Sequence, residues 1–127
     1  MTIEFRGVIR GVEIDLTSQM YMLHRIVKYD GSWRFAKSVA IFDHDSMSPA
    51  LPGSRIELRQ EDLEGRRPSY RMLGEWMEEH GFSVPDDRYG TDLPGDLAEL
   101  YENCRAWVGG GSDPGGRGCR PMNRSTS

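Results

Sequence analysis

Apolar and polar residues alternate from the start of the chain, with Ile3, Phe5 and Ile9 set against Glu4, Arg6 and Arg10. Alternation of this kind is the signature of a half-buried strand. A second stretch runs from Val12 to Tyr29 through "VEIDL" and "QMYMLHRIVKY", and a third, "WRFAKSVAIFD", covers about 33–43. Between them lie Arg10-Gly11 and Asp30-Gly31. The second of these is a strong two-residue hairpin signal, because both central residues of a type I′ turn need positive φ. The pattern therefore predicts a three-stranded antiparallel meander.

Two-residue turns fix the expected registers. The first places Ile9 opposite Val12 and Phe5 opposite Leu16; the second places Ile26 opposite Phe35, His24 opposite Lys37, Met22 opposite Val39 and Met20 opposite Ile41. One face would then gather Ile3, Phe5, Ile9, Val12, Ile14, Leu16, Met20, Met22, Ile26, Trp33, Phe35, Val39 and Ile41. The other face would be polar near the first turn, and apolar further on with Tyr21, Leu23, Val27, Ala36, Ala40 and Phe42. A three-residue second turn would instead pair Arg25 with Lys37, setting like charges opposite each other, and is disfavoured on that ground.

The alternation stops after Asp45. "SMSPALPGS" reads as a loop, "RIEL" as a short edge strand or an extended arm, and "EDLEGRRPS" as a polar linker. Helical spacing returns at about 69–80, where Tyr70, Leu73, Trp76 and Met77 form a stripe and Gly81 supplies a C-terminal stop. It is clearest at about 94–108, where Leu97, Leu100, Tyr101, Cys104, Trp107 and Val108 fall on one side. Thr91 or Asp92 is expected to cap this helix, and Pro94 suits its first turn. The fold class that follows is α+β: a curved three-stranded antiparallel sheet with C-terminal helices over residues 1–108, and a Gly- and Ser-rich disordered tail at 109–127.

At 127 residues the chain has room for one domain. Its net charge of −4 argues against a nucleic-acid partner. No apolar run reaches membrane-spanning length and no signal-peptide pattern opens the chain, so a cytoplasmic location without membrane contact is expected. Cys104 and Cys119 show no metal-ligand spacing, and neither a metal nor another cofactor is expected.

Chemistry concentrates at His24 and Lys37, which the favoured register places side by side on an otherwise apolar face. Desolvation and mutual repulsion would lower both pKa values and leave a neutral base or donor near physiological pH. These two are the weak catalytic candidates; the competing reading is a core histidine beside a lysine that snorkels to the rim. Met20, Met22, Ile26, Trp33, Phe35 and Val39 would line a pocket for a flat apolar ligand, or else form ordinary core. Asp43-His44-Asp45 resembles a carboxylate–imidazole group, but at a strand end it reads better as a solvated turn, with Asp45 capping the next segment.

Three stretches carry a family resemblance. The hairpin around "RGVEIDL", the segment "YDGSWRFAKSVAIFDHDSMSPALPG" and the helical stretch "SYRMLGEWMEEHGFSVPDDRYGTDLPGDLAELYENCRAWV" are similar, in that order, to the SnoaL-like branch of the nuclear transport factor 2-like, ketosteroid isomerase-like superfamily. The resemblance implies a cone in which N-terminal helices pack over a curved sheet and leave an apolar pocket. It also implies that those N-terminal helices, with the general-base residues they carry, are absent here, so the upstream reading frame bears on whether Met1 is the true start. Relatives commonly pair through the outer sheet face, which implies a homodimer through Tyr21, Leu23 and Phe42. Two functions follow. One is isomerase-, cyclase- or dehydratase-type acid–base chemistry in a longer parent. The other is a non-catalytic remnant that serves ligand binding or dimerisation. Whether this chain is an enzyme stays open at this point.

Overall fold

The computed structural model describes residues 1–110, and the expected tail therefore lies almost wholly outside the described residues. Strands β1 (Thr2–Ile9), β2 (Val12–Tyr29) and β3 (Ser32–Pro49) form an antiparallel sheet in the order β1-β2-β3. Helices α1 (Gln60–Glu64), α2 (Arg71–Glu79) and α3 (Pro94–Val108) follow, with a 3₁₀ turn at Pro68–Tyr70 leading into α2. The fold is α+β.

Both hairpins close as two-residue turns. Arg10 and Asp30 each take φ 49°, and Gly11 and Gly31 take 77° and 78°. These are the left-handed conformations a type I′ turn demands. Ile9 pairs with Val12 and Phe5 with Leu16; across the second turn Ile26 pairs with Phe35.

Beyond that pair the register departs from the expectation. A bulge at Ala36 sets Arg25 opposite Lys37, and a second at Asp43 sets Gln19 opposite His44. Each bulge adds one residue to β3, and one residue exchanges the faces of everything that follows. Between the bulges Met22 therefore faces Ala40 and Met20 faces Phe42, while Val39 and Ile41 turn to the other side with Leu23 and Tyr21. The second bulge restores the original parity, so Leu16 faces Met47 and Ile14 faces Pro49.

The two faces carry separate cores. On one, Ile9, Ile14 and Leu16 pack against Leu73 and Trp76 of α2, with Ile56 and Leu58 of the extended arm at 55–58. Met20 and Phe42 continue this core beneath Tyr70. On the opposite face Val39 and Ile41 pack against Tyr89 and against Leu100 of α3. Val39 and Ile41 thus leave the single apolar face expected from alternation and pack under α3 on the other side of the sheet.

The chain changes side around the β3 edge. Phe42 N–H donates to Tyr89 O at 3.0 Å, and Thr91 N–H donates to Phe42 O at 2.9 Å, so residues 89–91 run as a one-bridge strand beside β3. Arg67 fixes this crossing, donating to Asp92 Oδ2 at 2.6 Å and to the Asp86 and Arg88 carbonyls at 2.7 and 2.9 Å. Gly90 fits there because a Cβ would run into Ser69 Oγ and the Asp92 carboxylate. Asp92 is therefore not the α3 cap: the N-cap position is Leu93, with no side-chain hydrogen bond, and Pro94 opens the helix. Asp45 does cap, but across the fold, where its carboxylate accepts from Leu73 N–H in the first turn of α2 at 2.8 Å.

Candidate functional site

The distal half of the β2–β3 hairpin extends past both helices. Its turn residues are set by Asp30-Gly31, its β-branched and aromatic residues favour the strand, and few of its side chains meet a covering element. On one face Met22, His24, Ile26, Phe35 and Trp33 form a strip that leads outward from the buried Met20–Phe42–Tyr70 cluster. Met22 is half-buried, whereas Phe35 is 69% and Trp33 70% exposed. His24 stands within the strip, its Nδ1 hydrogen-bonded to Ser38 Oγ at 2.8 Å and its ring 4.9 Å from that of Phe35. Lys28 Nζ lies 5.9 Å from the Trp33 ring.

The opposite face of the same half is organised around Arg25. Its buried guanidinium sits 5.4 Å from the Trp107 ring of α3 and donates to Cys104 Sγ at 3.6 Å. Leu23, Arg25 and Ile26, with Tyr101, Trp107 and Val108, line a groove of about 500 Å³ between the β2 edge and the end of α3. The helical stripe of α3 marks Tyr101, Trp107 and Val108 only as core. The visible signal was Arg25 itself, a charge inside an apolar strand.

The residues expected to form one pocket are dispersed. Val39 is buried beneath α3 on the opposite face, and Met20 lies in the core under Tyr70. Ile26, Trp33 and Phe35 keep a common face but stand open to solvent. The expected pairing of His24 with Lys37 is corrected by the Ala36 bulge: His24 faces Ser38, and Lys37 sits across from Arg25 on the other side of the sheet. The disfavoured like-charge juxtaposition is thus present, produced by a bulge instead of a longer turn. Of the expected dimer face, Tyr21 and Leu23 share a side, while Phe42 points the other way into the core.

Asp43, His44 and Asp45 lie within β3 and not in the expected solvated turn at a strand end; Asp43 and His44 stay paired, while Asp45 turns to α2. Asp43 accepts from Thr91 Oγ1 at 2.8 Å and is hydrogen-bonded to His44 at 2.8 Å. The Thr91 hydroxyl, and after it the His44 ring, hold its carboxyl below the usual range. Asp45 is pushed the other way by burial against α2. Among the described residues no cluster of three His, Cys, Asp or Glu is placed to hold a metal ion, and no helix is long and apolar enough to cross a membrane.

Comparison with known proteins leaves the chain unplaced: no family model matches it, and no curated protein does.

Proposed function

We propose that this chain is a binding module of SnoaL-like type that takes a flat apolar small molecule on the Met22–Trp33 strip and performs no acid–base turnover there. The observation that carries this reading is the strip itself: aromatic and aliphatic side chains in a row, with one hydrogen-bonded histidine among them. A mostly apolar surface with a single polar orienting group is how proteins hold flat apolar ligands. Two of its members are aromatic, which gives broad contact at little entropic cost. The non-catalytic choice rests on the separation of His24 from Lys37, because the sheet stands between the two groups that would have had to exchange protons.

Titration with 8-anilinonaphthalene-1-sulfonate, followed by NMR, tests the reading. Saturable shifts centred on His24, Ile26, Trp33 and Phe35 are expected, weakened up to about tenfold by Phe35→Ala. That side chain is exposed, so its loss leaves the fold in place. Shifts centred elsewhere would overturn the proposal. So would shifts at the strip that follow protein concentration alone, because a second copy of the chain would then be its cover.

A further inference from the structure

The edge of the sheet beside this strip is open. Strand β1 pairs with β2 only as far as Thr2–Gln19, and the last bonds join Met1 to Met20, with Met20 N–H donating to Met1 O at 2.9 Å and the Met1 amino group donating to Met20 O at 2.7 Å. Both backbone groups of Met20 thus point away from β3. In a regular antiparallel strand every second residue does the same. β2 carries no extra residue in either ladder, since both bulges lie on β3. The N–H and C=O groups of Met22, His24, Ile26 and Lys28 therefore form a straight outward-facing ladder, and among the described residues no strand pairs with it. The outer edge of β3 differs: two bulges distort it and residues 89–91 occupy its middle. Bulges and cover are the usual means of closing an edge, and β2 has neither over this stretch.

We infer that an extended acidic segment of a partner protein docks here by adding a strand to β2. Two features select its chemistry. An added strand turns alternate side chains to the two faces of the sheet. On the α3 side they enter the groove beside Leu23, Trp107 and Val108, which is mostly apolar and whose charged lining residues, Arg25 and Arg105, are both basic. On the other side they pass His24 and Lys28, where a carboxylate is favoured. The field acts in the same sense, because residues 20–39 hold Arg25, Lys28, Arg34 and Lys37 against Asp30 in a chain whose net charge is −4.

The same charge argues against a second copy at this edge. Two-fold pairing would bring two basic hairpins together, and a pairing centred on residue 25 sets Arg25 against its own copy. One centred on Ile26 sets His24 against Lys28. The last residues of the chain are no better suited, since Arg117, Arg120 and Arg124 outnumber Asp113. The occupant has alternating apolar and acidic residues, and it binds through backbone hydrogen bonds with side-chain pockets reading every second position.

A blocked nine-residue peptide of alternating valine and glutamate is the probe, used with the intact chain in amide hydrogen-exchange and NMR titrations. Binding is expected to slow exchange at Met22, His24, Ile26 and Lys28 while leaving the amides of the intervening residues, which already face β3, unchanged. A peptide with lysine for glutamate is expected to bind at least about tenfold more weakly. A peptide N-methylated at the positions facing β2 should lose binding altogether. The Trp33→Ala/Phe35→Ala variant should keep it, which separates this site from the small-molecule strip. Protection without the period of two, equal binding of the lysine or N-methylated peptide, or loss of binding in the double variant would each overturn the inference. The four amides being protected before any peptide is added, and more so at higher protein concentration, would overturn it in favour of a second copy.

Discussion

Asp92 accepts hydrogen bonds from Arg67 Nε, Arg67 Nη2 and Ser69 Oγ at 2.6, 2.8 and 2.7 Å, and so ties the loop that crosses the β3 edge to the start of α2. The Arg67 hydrogen bond is the main reason its carboxyl lies below the usual range. A carboxylate with a lowered folded pKa contributes stability that is present above its unfolded value and is lost as pH falls through the folded one. Asp45 has the opposite sign. Burial raises its pKa, so its contribution is full in acid and declines as pH rises through the folded value. Carboxyl chemical-shift titration should accordingly place Asp45 above and Asp92 below the ordinary aspartate midpoint. Asp92→Asn should cost about 1.5–3 kcal/mol at neutral pH, read by urea unfolding, because it removes a charge-assisted acceptor. The difference from the parent chain should shrink toward acid. A cost that stays constant with pH would mean that the ion pair contributes nothing and only the shape of the side chain matters.

At the scale of elements, the turns were legible in the sequence and the bulges were not. Asp30-Gly31 announces its turn because positive φ restricts which residues fit there. Ala36 and Asp43 carry no comparable signature; a bulge is set by the twist of a long two-stranded ribbon, a property of the assembled sheet. Since one inserted residue exchanges faces, missing the Ala36 bulge was enough to misplace Val39, Ile41, Phe42 and Lys37 together. The two longer helices were legible because their apolar stripes are local, and α3 spans Pro94–Val108 as the spacing indicated, whereas the short α1 falls in the segment expected to be a polar linker and has no buried residue to mark it. Which side of the sheet each helix covers depends on the loop at 80–93, whose path is fixed by Arg67 and Gly90 and not by any periodicity. The two cores make a prediction. Leu100 is buried between α3 and the Val39–Ile41 face, so Leu100→Ala should cost about 2–5 kcal/mol in urea unfolding. Hydrogen exchange should accelerate first in α3, with the α2 amides over Leu16 retaining their protection. Equal acceleration in both helices would show that the two faces open as one unit.

At the scale of the whole molecule, each face of the sheet carries a helix of the described chain. Residues 71–79 cover the Ile9–Ile14–Leu16 face and residues 94–108 cover the Val39–Ile41 face. The hairpin end stays uncovered among the described residues, with Ile26, Tyr29, Trp33 and Phe35 all exposed. Stability should therefore reside in the clamped half of the sheet, and binding in the free half. Replacing residues 26–36 with Asn-Gly tests this division. The exchange links Arg25 to Lys37 through Asn-Gly; the two already face each other across the ladder, so a two-residue type I′ turn can close there. The shortened chain should keep a single cooperative transition with Tm within about 4–8 °C of the parent, the shift that about 1 kcal/mol produces in a small domain. It should also lose the response to the naphthalene sulfonate dye, because the side chains that would hold the dye are gone. A much larger fall in Tm would show that the hairpin end belongs to the folding core, and its exposed aromatics would then need to be covered by another chain for the protein to be stable at all.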